Sequence, residues 1–146
     1  MKQTILILLA FIYLISCKPT AKIITEKKEV AVLASVSFTN TKWILTSLNK
    51  KLPTFSMNEK PYIIFKDNND VSGNAGCNIF SGNYEISDSS INFKNIIVTT
   101  SACPDLPIES DFLKVLSITM NYIKNNQTLE LKDSSGRILA LFLVKK

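Results

Sequence analysis

The sequence predicts an α+β domain in which a mostly antiparallel, curled and partly barrel-like β-sheet packs against one main α-helix. Two observations predict this class. Seven or so short apolar runs recur at eight-to-twelve-residue spacing between turn signals, as antiparallel strands do. One later segment, from about 107 to 119, instead repeats its apolar residues every three or four positions. A sheet that curls around this helix would bury the apolar face of the helix.

The chain from 43 to 70 predicts two strands. The first is 43–48, and Trp43, Leu45 or Leu48 would reach the core. A turn at 49–51 and a loop at 52–60, marked by Pro53, separate it from the second strand at 62–66. The run Asp-Asn-Asn-Asp at 67–70 is a strong turn signal, so the second strand is expected to end there.

Glycines dominate the next segment. Gly73, Gly76 and Gly82 lie within ten residues, each beside Asn, Ser or Cys. Glycine and asparagine suit left-handed and tightly turned backbone, so the segment 73–82 predicts tight bends. A strand is expected to follow these bends at about 83–86. The flanking asparagines are interpreted as residues that fix turns rather than as ligands: Asn74, Asn78 and Asn83.

The C-terminal half supplies the helix and the remaining strands. Ile108, Phe112, Val115 and Leu116 fall on one face of the predicted helix, and acidic residues cluster near its start, where the helix dipole favours negative charge. Alternating apolar residues and intervening turns predict strands at 91–93, 96–99, 122–124, 128–132 and 137–144, with turns at 87–90, 125–126 and 133–136.

The N-terminus predicts export. After Lys2, an unbroken apolar run extends from Ile5 to Ile15. Eleven residues at helical rise span about 16 Å, half of a hydrocarbon core of about 30 Å, which favours a signal peptide over a membrane-spanning helix. The end of the run, Leu-Ile-Ser-Cys at 14–17, resembles a bacterial lipobox, which implies cleavage before Cys17 and acylation of that cysteine with palmitate. An ordinary signal peptide with a chance cysteine is the alternative.

These features divide the chain into a lipoprotein signal peptide at 1–16, a tether at 17–40 and a domain at 41–146. Alternating apolar residues at 30–38 could form an extra edge strand, or the whole of 17–40 could be a plain tether. The tether lysines could contact anionic head groups or simply keep the tether soluble: Lys18, Lys22, Lys27 and Lys28.

Composition limits the chemistry. The chain contains no histidine, which excludes the usual Ser-His-Asp and Cys-His nucleophiles and histidine-ligated zinc. Its one arginine, Arg137, cannot form a clustered clamp for phosphate. The net charge falls from +5 to +4 when Lys2 is removed with the signal peptide, and no basic face interleaved with aromatic residues is evident. Nucleic-acid binding is therefore not predicted.

Paired carboxylates could still support a hydrolase without histidine. Nearly all the candidates lie in predicted turns or at the helix start, where capping accounts for them: Asp67, Asp70, Glu85, Asp88, Asp105, Glu109 and Asp111. The segment 67–70 has the oxygen density of a calcium loop but lacks the spaced ligands and distal Glu of the twelve-residue pattern. We therefore predict no catalytic, cofactor-binding or metal-binding residues.

Several weak motifs in a fixed order resemble the META/HslJ-like family of small bacterial envelope lipoproteins. The resemblance covers about 41–144 and includes Trp-Ile-Leu at 43–45, Gly-Cys-Asn-x-Phe-x-Gly-x-Tyr at 76–84, and Thr99 with the Ala-Cys pair at 102–103. Glu109, Phe112-Leu113, Leu116 and Leu129-x-Leu131 complete it. Ser101 departs from the family, which often has methionine there. The residues assigned to the structural motif are Gly73, Gly76, Asn78, Gly82, Tyr84 and Thr99.

Cys77 and Cys103 remain once Cys17 is acylated, an even count in an oxidising compartment. Both belong to the family motifs. A disulfide between them is the main expectation; a pair of small buried thiols close together is the alternative. A redox-active pair is not favoured, because the chain has no Cys-x-x-Cys spacing.

The function expected from the lipobox and the resemblance is a non-enzymatic envelope lipoprotein, lipid-anchored with the outer membrane as its expected location. The resemblance implies a link to heat or envelope stress and to antimicrobial tolerance, and no reaction. Expected partners are the membrane, through the anchor, and an unknown protein or small apolar ligand. One alternative is an inhibitor of a hydrolase that presents the loop 52–61; a histidine-free carboxylate enzyme is the least favoured.

Overall fold

The computed structural model describes residues 36–54, 59–102 and 106–145. Within them lie eight β-strands and one α-helix. The strands are β1 (Trp43–Leu48), β2 (Tyr62–Phe65), β3 (Asp70–Asn74), β4 (Ile79–Ser87), β5 (Ser90–Val98), β6 (Asn121–Lys124), β7 (Thr128–Lys132) and β8 (Ile138–Val144), and the helix is α1 (Leu106–Ile118). The predicted class, a mostly antiparallel curled sheet with one main helix, is confirmed.

The strands form a closed ring in chain order. Each pairs antiparallel with the next, and β8 returns to pair with β1 along most of its length. The junction between β5 and β6 is the weakest, since a single register pair, Ser90 with Asn121, joins them. The helix α1 connects these two strands in the chain and lies against β5. The helix therefore packs near the junction of β5 and β6, where strand pairing is weakest.

The core fills the ring through the alternation of inward and outward side chains along the strands. Trp43, Leu45 and Leu48 are all buried, as predicted. From the helix, the fully buried Phe112 contacts the ring of Phe80 on β4, at 5.7 Å between centroids, and that of Phe142 on β8, at 6.1 Å. These strands are four places apart in a ring of eight, so the helix packs over its interior.

A second aromatic cluster lies around Phe38, in the segment before β1. Its ring stacks on Phe65 of β2, at 4.3 Å between centroids, and also contacts Tyr84 of β4 and Tyr122 of β6. The indole Nε1 of Trp43 donates a hydrogen bond of 3.0 Å to the carbonyl oxygen of Phe38. The folded body therefore includes residues before 41, although no strand is found at 36–38.

The glycine segment differs most from the sequence-based prediction. Gly73 lies inside β3, a strand that was not predicted, and Gly82 lies inside β4, which begins four residues earlier than expected. A Cβ on Gly73 would lie 2.0 Å from the carbonyl oxygen of Tyr62, and one on Gly82 would lie 2.6 Å from Cδ1 of Ile96. These two glycines thus permit close packing rather than bends. The strands predicted at 91–93 and 96–99 are one strand, β5, which bulges opposite Gly82.

Several predictions fall outside the described residues: the signal peptide, Cys17, the tether up to residue 35, Cys103 and Asp105. Within the described part of the chain, the one helix is too short to cross a bilayer.

Candidate functional site

A short loop between β3 and β4 holds the centre of the predicted motif. Gly76 has φ = 129°, a conformation that L side chains rarely adopt, so the predicted bend is confirmed at this glycine. The backbone N–H of Gly76 donates to Oδ1 of Asn74, at 2.7 Å, and the N–H of Ala75 donates to the carbonyl oxygen of Asn78, at 2.9 Å. These bonds close the loop and direct Asn78 inward.

Asn78 links this loop to the segment after β5. Its side chain is 3% exposed. The Oδ1 atom accepts hydrogen bonds from the backbone N–H of Ser101, at 2.7 Å, and from Oγ1 of Thr99, at 3.0 Å, while Nδ2 donates to the carbonyl oxygen of Ser101, at 3.1 Å. Ser101 thus contributes backbone groups, and its side chain is exposed, so methionine is not needed to complete this contact.

Asn78 is also bound to the helix. Its backbone N–H donates to Oε2 of Glu109, at 2.6 Å, and its Nδ2 donates to Oε1 of Glu109, at 3.0 Å. Glu109 is 7% exposed and lies in the first turn of α1. Buried donors and acceptors need partners, and every buried side-chain polar atom of the described residues has one. We call Asn78, Thr99, Glu109 and the backbone of Ser101 the Asn78 hub.

Tyr84, the last residue of the predicted motif, lies away from the hub. Its hydroxyl donates to the carbonyl oxygen of Lys66, at 2.8 Å, and its ring contacts Phe65 edge-on. Burial raises the pKa of the phenol above its ordinary value, and the nearby charge of Asp67 adds to this shift. The tyrosine joins the turn after β2 to the core.

The cysteine segments approach each other at the hub. Sγ of Cys77 lies 3.4 Å from the carbonyl oxygen of Ser101, which precedes Cys103 by two residues, and 3.4 Å from Nδ2 of Asn78. The loop and the segment after β5 are therefore neighbours, as the motif implied. Because Cys103 lies outside the described residues, the disulfide stays a prediction.

The carboxylates considered as catalytic candidates are spread over the molecule. Asp67 accepts a hydrogen bond of 2.6 Å from Nδ2 of Asn40, and Oδ1 of Asp70 accepts one of 2.9 Å from Nδ2 of Asn83. Hydrogen bonds from the Thr39 and Asn40 side chains hold the pKa of Asp67 below its ordinary value. Among the described residues, no group of three His, Cys, Asp or Glu side chains could hold a metal ion. Both carboxylates of the turn at 67–70 are thus held by side chains of neighbouring segments.

A cavity of about 370 Å³ lies between α1, the turn after β1 and the start of β8; we call it the α1 groove. Its apolar wall consists of Val115, Ile118, Ile138 and Leu139. Its polar lining consists of Asn49, Lys50, Asp111, Lys114 and Arg137. Ligand sites typically combine an apolar wall with a few polar groups at this size.

Sequence reasoning did not identify the α1 groove. Its cationic residues come from three separate segments: Lys50 from the turn predicted at 49–51, Lys114 from the predicted helix and Arg137 from the start of the predicted last strand. Only the three-residue spacing of Asp111 and Lys114 places two of its polar residues on one helix face. No signal in the sequence links either of them to Lys50 or Arg137. Pairing of β1 with β8 brings Lys50 and Arg137 to one side of the groove, and packing of α1 adds Asp111 and Lys114.

The family comparison finds a match over most of the chain. The model of the META domain matches residues 36–146, which includes the segment that carries Phe38. A comparison with curated proteins gives no match.

Two solved structures have the same fold. One, determined by NMR, is 22% identical, covers 74% of this chain and 95% of its own, and has a TM-score of 0.59. The other, an NMR structure of a protein from Burkholderia xenovorans, is 20% identical, covers 75% of this chain and 84% of its own, and also has a TM-score of 0.59. At this identity the likeness concerns the fold alone.

Proposed function

Because the chain belongs to the META domain family, we propose that it is a lipid-anchored, non-enzymatic binding module of the bacterial cell envelope. The α1 groove carries this proposal. It lies beside the helix, it combines an apolar wall with charged residues, and its residues are not used by the Asn78 hub. The groove would hold a small ligand or a segment of a partner protein that carries an apolar group.

The use of the buried polar groups supports a binding role over catalysis. Among the described residues, Asn78 and Glu109 are the buried groups that a hydrolase could use, and both are engaged in hydrogen bonds that join the loop, the segment after β5 and the helix. A carboxylate that accepts two bonds from the fold is poorly placed to exchange protons with a substrate. We therefore interpret the Asn78 hub as a structural network and the α1 groove as the candidate binding site.

The anchor is proposed from the sequence. The lipobox at 14–17 precedes a charged tether, and several acyl chains on one cysteine hold a protein to a bilayer at about 0.8 kcal/mol per buried methylene. In this arrangement the tether enters the folded body near Phe38. A role in heat or envelope stress, or in antimicrobial tolerance, is proposed from the family resemblance.

Labelling of Cys17 tests the anchor. Cells that express the full chain are fed an alkyne analogue of palmitate, and the protein is examined for label and for its presence in the membrane fraction. We expect wild type and the control Cys77→Ser to carry label and to sediment with membranes, whereas Cys17→Ser should do neither. Equal labelling of Cys17→Ser would refute the anchor.

Thermal denaturation tests the binding role. The acylated protein, in nanodiscs of zwitterionic lipid, is heated with and without a lipid and small-molecule extract of its own envelope. A ligand that binds only the folded state raises Tm. We expect the extract to raise Tm of wild type and of Ile97→Glu, which changes an exposed isoleucine outside the groove, but not of Ile118→Glu. Equal shifts in all three proteins, or none in wild type, would reject the groove.

A hydrolase inhibitor is the second candidate. Leu52, at the start of the loop 52–61, is 85% exposed, and an exposed apolar side chain on a loop could enter the pocket of an enzyme. Capture of envelope hydrolases by wild type but not by Leu52→Ser would favour this role. Equal capture by both proteins would count against it.

A further inference from the structure

The α1 groove carries unpaired positive charge. Lys50 and Lys114 form no ion pair with any described acidic residue, and Asp111 likewise pairs with no described cation. Arg137 is partly neutralised, since its Nη2 atom lies 2.9 Å from Oδ2 of Asp133. The groove therefore has two free lysines and one free aspartate around its apolar wall, with Arg137 at its edge.

Backbone geometry holds Lys50 at the groove. Asn49 and Lys50 both have left-handed backbone, with φ values of 49° and 63°. The N–H of Asn49 donates a hydrogen bond of 2.7 Å to the carbonyl oxygen of Leu139, a residue of the apolar wall. The turn after β1 is thus fixed to β8, and Lys50 is kept next to the wall.

The C-terminal end of α1 does not oppose an anion strongly. Exposed carbonyl oxygens would make this end negative. Here Oγ of Ser117 donates to the carbonyl oxygen of Lys114, at 2.8 Å, and Oγ1 of Thr119 donates to that of Val115, at 2.7 Å. The backbone N–H of Thr119 donates to the carbonyl oxygen of Leu116, at 3.4 Å. Three carbonyl groups near this end, those of Lys114, Val115 and Leu116, thus accept hydrogen bonds from the chain itself.

We propose that the α1 groove binds an amphipathic anion, that is, an alkyl or ring system that carries a carboxylate or phosphate. The apolar part would lie on Ile118 and Ile138, above the buried Val115 and Leu139, and the anionic head would lie between Lys50 and Lys114. This inference deepens the proposed function and rests on it, since it names the ligand class of the same groove. Two kinds of molecule combine an apolar part with an anionic group in this way: a free amphiphile and a membrane lipid with an anionic head group.

Methyl NMR tests the ligand class. The acylated protein is labelled at isoleucine methyl groups in nanodiscs of phosphatidylcholine; Ile118 and Ile138 report on the groove, and Ile79 and Ile97 lie outside it. Octanoate and octyl phosphate should shift Ile118 and Ile138 saturably. Octyl glucoside, which lacks charge, and inorganic phosphate, which lacks the chain, should bind at least about fivefold more weakly.

Removal of positive charge and removal of negative charge from the groove should change octanoate affinity in opposite directions. The double variant Lys50→Glu, Lys114→Glu should weaken octanoate binding at least about fivefold, whereas Asp111→Asn should strengthen it roughly twofold. The control, Lys60→Glu with Lys145→Glu, makes the same charge change at exposed residues outside the groove and should bind like wild type. The shifts of Ile79 and Ile97 report whether each variant is folded.

The outcomes distinguish a membrane lipid from a free amphiphile as the ligand, and they distinguish failure of this inference from failure of the proposed binding role. Shifts of Ile118 and Ile138 in nanodiscs that contain phosphatidylglycerol, without added amphiphile, would assign the membrane lipid as the ligand; their absence would assign a free amphiphile. Equal binding of octyl glucoside and octanoate would overturn the anion class. If the envelope extract raises Tm while neither anion binds, only this inference fails; if neither effect occurs, the proposed binding role fails as well.

Discussion

The carboxylate of Glu109 on α1 accepts two hydrogen bonds from Asn78, one from its backbone N–H at 2.6 Å and one from its side-chain Nδ2 at 3.0 Å. The two residues are 31 positions apart, and both are buried. Asn78 extends the same network to Thr99 and Ser101. One carboxylate thus fixes the helix start to the loop between β3 and β4, and through it to the segment after β5.

Removal of this carboxylate should destabilise the fold. Glu109→Ala leaves the N–H and Nδ2 of Asn78 buried without acceptors, and we expect it to lower the free energy of unfolding by about 2–3 kcal/mol. Asp111→Ala, two residues further along the same helix, removes an exposed carboxylate and should change it by less than about 0.5 kcal/mol. Urea denaturation of the mature protein measures both values. Equal stability of the two variants would show that the hub contributes little.

Local patterns were sufficient for much of the fold. The first strand, the helix and the C-terminal hairpin were predicted within about one residue of the observed bounds, because each buries one face at the period of its own backbone. The buried Trp43, Leu45 and Phe112 follow from the same periodicity. Closure of the ring depends on the pairing of β1 with β8, between parts of the chain about a hundred residues apart; the sequence indicated a partly barrel-like sheet but not which strands close it.

The strand β3 was missed for a physical reason. Its sequence, Asp-Val-Ser-Gly-Asn, contains residues that favour turns, and Val71 is its one large apolar side chain. Its pairing on both sides with β2 and β4 overrides these local preferences. The glycines were recognised as structural, but the sequence could not show that Gly73 and Gly82 serve close packing, since the atoms that approach them come from other strands.

The two sites differ in how far they could be predicted. Asn78 and Thr99 were assigned to the structural motif from the sequence. Glu109 was matched to the family resemblance and interpreted as a helix-start residue, but its bond to Asn78 was not foreseen. The α1 groove depends on tertiary contacts alone, because Lys50 and Arg137 lie in turns that give no sign of convergence.

Substitution of Gly73 tests the close packing of β3. The Cβ of Gly73→Ala would lie 2.0 Å from the carbonyl oxygen of Tyr62 and 2.7 Å from Cε1 of Phe80, so the backbone must move. We expect a loss of about 3 kcal/mol or more in the free energy of unfolding. The control, Gly136→Ala, has φ = 81° with no atom within 4 Å and should cost only about 1–2 kcal/mol of backbone strain. A smaller loss at Gly73 than at Gly136 would contradict this account.

The predicted disulfide between Cys77 and Cys103 should be found in the mature protein isolated from the envelope. Sγ of Cys77 lies 3.4 Å from the carbonyl oxygen of Ser101. Because Ser101 precedes Cys103 by only two residues, the two cysteines are expected to lie within the distance that a disulfide requires. Mass spectrometry of unreduced peptides should find the two cysteines linked, and reduction should lower stability by about 3–4 kcal/mol in the chain-entropy model. Alkylation of both thiols before reduction would exclude the bond.

The acid dependence of stability should report on Asp67. Hydrogen bonds from the side chains of Thr39 and Asn40 lower its pKa in the folded protein below the ordinary value of 3.8. A carboxyl group with a depressed folded-state pKa stabilises the fold fully above its unfolded pKa, and this contribution is lost as the pH falls through the folded value. Asp67→Asn removes the contribution, so its destabilisation relative to wild type should be largest near neutral pH and should shrink below about pH 3.8. Urea denaturation of wild type and Asp67→Asn across this range measures the effect, with Asp111→Asn as the control for loss of a carboxylate. A difference between wild type and Asp67→Asn that is constant with pH, or that grows in acid, would show that these hydrogen bonds do not favour the charged form of Asp67.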